Sequence, residues 1–166
     1  MATVSYERAW KALAATRIAV GFVFLWAFLD KTFGLGFATK PEAAWVAGGS
    51  PTTGFLKFGV NVDSPFKDFF ASLAGQPWVD WLFMLGLLGI GLALVLGIGL
   101  RVAAVTGTLL LLMMWAAEIP LENNPVIDDH IVYALVLWVV AFGRREWSLT
   151  NWWLSQKSVK KQPWLW

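Results

Sequence analysis

Apolar residues along the chain come in long blocks rather than in alternation, and each block is bounded by charge, glycine or proline. A helix needs about 20 mostly apolar residues to cross a bilayer core, whereas a membrane strand needs about ten alternating ones. Three blocks have the helical length: Leu13 to Phe33, Trp78 to Leu100, and Arg101 to Ile119. The first carries Arg17 near one end and Asp30–Lys31 near the other. The second carries only Asp80, and the third has no charge between Arg101 and Glu118. A fourth run, Ile131 to Gly143, has thirteen residues. A full span there must begin near Asn124, with Asn124 as N-cap and Pro125 at the first helical position. The pattern predicts an all-α integral membrane protein, a four-helix bundle forming a single membrane domain over residues 1–166. Its spans cover about 13–33, 78–100, 101–119 and 125–143.

Two stretches lie outside these spans. Residues 34–77 form a long loop with scattered aromatic residues. Within it Pro65 to Gly75 reads as a short amphipathic helix, with Gly75 suited to its C-cap. This loop lies on the membrane interface, or folds over the bundle mouth as a lid or partner-binding surface. Residues 144–166 interleave Trp147, Trp152, Trp153, Trp164 and Trp166 with Lys157, Lys160 and Lys161. That mixture reads as an interfacial anchor on an anionic leaflet, or as a docking segment for a partner. Gly89, Ala93 and Gly97 recur every four residues on the second span, as do Ala103 and Gly107 on the third. Small residues at this spacing predict close helix packing.

Composition narrows the class further. Hydrophobic residues make up 58% of the 166 residues and charged residues only 14%, against roughly 25% charged in soluble domains. A soluble chain of this length has too little interior to hide so much apolar surface. Disorder, a nucleic-acid module and a conventional cytosolic enzyme are therefore excluded. Membrane lipid is the expected partner and nucleic acid is not. The absence of cysteine excludes disulfides, iron–sulfur clusters and thiolate metal sites. His130 is the single histidine, so multi-histidine metal or haem ligation is excluded, and no metal or haem is expected from this chain alone. The polar start runs into the first span without a small-residue cleavage site, as in an uncleaved anchor. Dinucleotide-binding, Walker, zinc-protease and serine-hydrolase motifs do not occur.

Charge gains meaning once it is sorted by side. Four spans place both termini together, with nine of the 13 basic residues: Arg8, Lys11, Arg17, Arg101, Arg144, Arg145, Lys157, Lys160 and Lys161. By the positive-inside rule that side is cytoplasmic. Nine of the 11 acidic residues fall on the other side. Ionisable groups at membrane depth are costly and mark function by default. Here every span brings one or more to the outer mouth: Asp30 and Lys31, Asp80, Glu118, and Asp128, Asp129 and His130.

Helical spacing groups Phe22, Trp26 and Asp30, then Trp115 and Glu118, then His130, Tyr133 and Leu137. Trp26, Trp115 and Tyr133 would line an apolar ring site, with Asp30, Glu118, Asp129 and His130 at its rim. A carboxylate and an imidazole beside a planar ring suit proton transfer to a quinone oxygen. Lys31 could attract an anionic electron donor, and Asp80 stands at the same mouth. Each residue also has a plainer reading. Asp128 and Asp129 favour a helix N-terminus, Asp30 and Lys31 make an interfacial ion pair, and His130 is a satisfied structural histidine. Arg17 snorkels to the interface, and Arg101 fixes topology.

The stretches Phe24-Leu25-Trp26-Ala27-Phe28-Leu29-Asp30-Lys31-Thr32-Phe33-Gly34, Gly86 to Gly97 leading to Arg101, Asp80, and Asn124-Pro125-Val126-Ile127-Asp128-Asp129-His130 together resemble the DoxX family. That family includes the DoxD-type subunit of thiosulfate:quinone oxidoreductase. The resemblance spans about Ala14 to Gly143. It implies a four-helix protein of the prokaryotic plasma membrane with a respiratory role. It also implies a bound quinone (menaquinone or ubiquinone) and a possible second subunit, respiratory complex or homo-oligomer as partner. A non-enzymatic scaffold recruiting other proteins is the alternative.

Overall fold

A computed structural model describes residues 2–143 and 145–165, with side chains from Tyr6 onward; Arg144 and Trp166, counted above in the basic and tryptophan patterns, lie outside the described residues. Regular structure among the described residues is helical throughout. The chain runs α1 (Ala2–Phe33), α2 (Lys67–Leu73), α3 (Pro77–Leu96), α4 (Leu100–Glu118), α5 (Asp129–Phe142), α6 (Thr150–Ser155) and α7 (Lys157–Lys160), with short 3₁₀ and π turns between. Three stretches are long and apolar enough to cross a membrane: Tyr6–Phe33, Pro77–Leu96 and Leu100–Glu118. α5 is apolar but has 14 residues, and at a rise of about 1.5 Å per residue it falls short of a bilayer core of about 30 Å. It begins at Asp129 rather than near Asn124. Asn124 instead turns the chain, its side-chain oxygen accepting the N–H groups of Val126 and Ile127 at 2.9 Å each.

α1 packs on α3, α3 on α4, α4 on α5, and α5 back on α1. Their shared core holds Val20 and Phe24, Met84, Leu87, Ile90 and Leu94, Ala103, Ala104 and Leu111, and Ala134, Leu137 and Val140. The three-to-four spacing of these residues marks one buried stripe per helix. Of the four-residue stripe of α3, Gly97 is approached closely by Ser148 and Arg17 at the turn, but the helix–helix approach does not use Gly89. A methyl on Gly89 would meet nothing within 4 Å, whereas one on Gly91 would lie 2.6 Å from Leu25 Cγ, and one on Gly21 2.8 Å from Leu94 Cβ. Gly21 and Gly91 thus form the α1–α3 seam. Gly107 and Ala103 of α4 are buried as expected, Gly107 against Leu137 of α5.

At one end of the helices, Gly97 (φ +70°) closes α3 and Gly99 (φ +55°) opens α4. Arg17 is only 3% exposed there. It donates to the carbonyls of Leu94 and Val95 at the end of α3, and to those of Glu146 and Trp147 beyond α5. The expected snorkelling side chain is therefore a buried clamp on orphan helix-end carbonyls. The tail is folded back over the same turn. Leu149 N–H donates to Leu96 O at 2.8 Å, Thr150 Oγ1 donates to Gly97 O, Arg101 donates to Pro163 O at 3.2 Å, and Val159 is buried.

At the opposite end, the mouth, residues 34–76 fold onto the helix ends. Leu56, Val60, Phe70 and Ala117 form a second small core. α2, within the expected amphipathic stretch, contributes Phe70 to it, and Gly75 (φ +81°) follows the helix.

Candidate functional site

The loop between α4 and α5 returns the chain so that Glu118, the last residue of α4, stands beside the start of α5. Asp128 is the N-cap of α5 in extended backbone. Its Oδ1 accepts the N–H of Ile131 at 3.1 Å, which satisfies one of the orphan donors of the helix. Its Oδ2 lies 2.8 Å from His130 Nδ1. Asp129 Oδ1 is 3.6 Å and Glu118 Oε2 3.9 Å from the same nitrogen. Three carboxylates therefore surround one imidazole. His130 is 8% exposed, while the side chains of Glu118 and Asp129 are 41% and 75% exposed. Burial pushes the Asp128 carboxyl up, but the His130 hydrogen bond, the Ile131 N–H and the His130 charge together hold it below the usual carboxylate range. One donor atom from each of Glu118, Asp128 and His130 lies within 4.8 Å of the others.

Glu118, Asp128 and Asp129 face a cavity of about 660 Å³. Its other walls come from Phe58 to Val62, from Leu121 to Asn124 and from Ile127. The π-helical turn Phe55–Gly59 carries Phe58 into this wall. Asn61 fixes the two walls to each other. Its N–H donates to Ala117 O at 2.9 Å, and its Nδ2 donates to Pro120 O at 2.9 Å and Glu118 O at 3.3 Å. Asn61 has no signal in the sequence, because its partners lie more than fifty residues away.

The other candidates are placed elsewhere. Asp30 is 1% exposed, and its two oxygens accept the N–H groups of Phe37 (3.3 Å) and Ala38 (3.0 Å), closing the turn after α1. Lys31 does not pair with it. Neighbouring helical residues point about 100° apart, and the Lys31 ammonium sits 5.9 Å from the Phe83 ring centre. Asp80 Oδ1 accepts from Thr52 Oγ1 (2.6 Å), Thr52 N–H (3.1 Å) and Ser50 Oγ (2.9 Å), which pins the outer loop to the start of α3. Trp26 packs edge-on to Phe37 at 5.0 Å and beside Phe22 at 5.9 Å. Trp115 Nε1 donates to Val126 O at 2.9 Å. His130 and Leu137 share the buried face of α5, but Tyr133 is turned off it and is 37% exposed. Trp26, Trp115 and Tyr133 do not line the cavity; its apolar wall is built from Phe58, Val60, Val62, Leu121 and Ile127.

No family model matches the chain, and no curated protein or solved structure matches it either.

Proposed function

We propose that this chain is the membrane subunit of a quinone-linked respiratory oxidoreductase of the DoxX type, resembling the thiosulfate:quinone enzyme, with its quinone and proton site at the mouth. The observation that carries this reading is the Asp128–His130 pair, at 2.8 Å, with His130 buried and Asp128 facing a cavity where the apolar helices end. A quinone travels in the lipid, yet its oxygens need polar partners and protons on reduction. The end of an apolar helix cluster supplies both neighbourhoods. Reducing the quinone to the quinol takes two electrons and two protons. Asp128–His130, flanked by Glu118 and Asp129, exchanges the protons with the outer solution. Phe58 and Ile127 serve as the ring contacts in place of Trp26, Trp115 and Tyr133. The chain has no cysteine for an iron–sulfur relay and one histidine. Electrons therefore come directly from the donor or through a second subunit. In this reading α5 completes a four-helix bundle in a prokaryotic plasma membrane, with both termini cytoplasmic.

The test is bound quinone, extracted from the purified protein and identified by mass spectrometry. Wild type should retain menaquinone or ubiquinone. His130→Ala and Glu118→Gln should lose it and slow quinol formation by about 10²-fold, the range of general acid–base catalysis. Trp26→Ala should behave as wild type. No quinone in the wild type, or unchanged rates in both site variants, sinks the reading. A second reading, the non-enzymatic scaffold, is favoured by the exposed Phe37, Val46, Phe58 and Val62 on the outer segment, an apolar surface suited to a protein partner. Cross-linking from these positions to one recurring partner, with no quinone bound, would select it.

A further inference from the structure

We infer that Glu118, Asp128 and His130 form a binding site for one divalent transition cation of the zinc type. The proposal does not rest on the quinone reading. Three observations point the same way. The first is the donor set. One imidazole nitrogen and two carboxylate oxygens lie within 4.8 Å of one another, and this mixture suits zinc-like cations better than calcium or magnesium, which favour all-oxygen shells. The second is fit. A tetrahedral ion with bonds of about 2.0–2.2 Å holds its ligand atoms about 3.4 Å apart. The distances from His130 Nδ1 to Asp128 Oδ2 and Glu118 Oε2, 2.8 and 3.9 Å, bracket that value, and the carboxylate atoms lie within 4.8 Å of each other. The third is charge. Among the described residues no lysine or arginine pairs with Glu118, Asp128 or Asp129; His130 is their shared partner. Among the described residues, His130 is thus the one cationic side chain within reach of three adjacent carboxylates.

Three protein ligands leave a fourth position open toward the cavity, and Asp129, 3.6 Å from Nδ1, is near enough to reach it. The backbone prearranges the set. The Asp128 cap bond to Ile131 fixes the start of α5, and Asn61 ties the end of α4 to the outer loop. The ion would take the Nδ1 lone pair, so metal and proton compete for one place.

The experiment is a titration of the purified full-length protein, in detergent and free of added quinone, with Co²⁺ as a coloured substitute for Zn²⁺. One equivalent should bind with a visible absorption band, Zn²⁺ should displace it, and excess Mg²⁺ should not. His130→Ala should abolish the band. Glu118→Gln should weaken binding at least tenfold; the Glu118 carboxylate accepts no hydrogen bond from the described residues and is half exposed, so this variant keeps the fold. Asp68→Asn, on the exposed side of α2, should bind as wild type. Absence of stoichiometric binding, displacement by Mg²⁺, or unaltered binding in Glu118→Gln and His130→Ala overturns the assignment. None of these outcomes bears on whether quinone co-purifies.

Discussion

Gly89 and Gly91 lie on the same helix two residues apart, and their alanine variants should differ in sign. A methyl on Gly91 would stand 2.6 Å from Leu25 Cγ and 2.9 Å from the Leu25 backbone nitrogen. Carbon contacts are comfortable at about 3.5–4.0 Å, so α1 would have to retreat by more than half an ångström. The side chain of Leu25 can turn aside, but its backbone nitrogen cannot. Overpacking of this kind costs about 1–3 kcal/mol. Against this stands the gain of alanine over glycine in a helix, up to about 1 kcal/mol. Gly89 faces open space, so its alanine variant collects the gain without the clash. Because both changes are made in α3, the propensity gain cancels in the difference, which should be about 1–3 kcal/mol. Thermal unfolding in mild detergent, followed by tryptophan fluorescence, measures it, at about 2–4 °C per kcal/mol for a chain of this size. A Gly89→Ala protein that melts below Gly91→Ala would refute the seam and restore the stripe of Gly89, Ala93 and Gly97 as the packing face.

Arg17→Gln removes the donor to four carbonyls in a buried place. It should cost about 2–4 kcal/mol and speed limited proteolysis near residues 145–149. Asp128→Asn keeps a good N-cap but loses the charge. The folded Asp128 carboxyl titrates below its ordinary value, so its contribution is present above about pH 4 and is lost as the pH falls further. The melting difference between wild type and Asp128→Asn should shrink toward zero in acid, and a widening difference would contradict the assignment. Asp80→Ala releases the Ser50 and Thr52 groups. It should cost about 1–3 kcal/mol, with faster hydrogen exchange at the Thr52 amide as the local sign.

The apolar blocks alone were enough to locate three membrane-length helices, because burial in lipid demands a run of length set by the bilayer. The first begins at Ala2, well before the expected Leu13, because its polar first turns extend beyond the apolar run. Gly97 and Gly99 form the turn between α3 and α4, where a backbone at positive φ favours glycine. The fourth helix was misplaced at its start. Asn124 and Asp128 are both competent caps, and tertiary contacts chose the second. Arg17 and the acidic residues were visible as polar groups at helix ends, but their partners were not. Asp30, Asp80 and Asp128 look equivalent in sequence. In the fold the first two spend hydrogen-bond acceptors on loop backbone and hydroxyl groups, and only the third meets an imidazole.

The tryptophans show the same division. Spacing correctly put Trp26 beside Phe22, since neighbours on one helix are fixed by its pitch. Whether Trp26, Trp115 and Tyr133 would meet across helices depended on the rotation of each helix about its own axis, which packing at Gly21, Gly91 and Gly107 decides. By itself, then, the sequence determined the class, the length of the spans and the concentration of acid at one end, because these follow from composition and local periodicity. Only the tertiary structure decided which acids gather around His130 and which residues wall the cavity beside them, because those neighbours are brought together by helix rotation and by loops that join positions far apart in the chain.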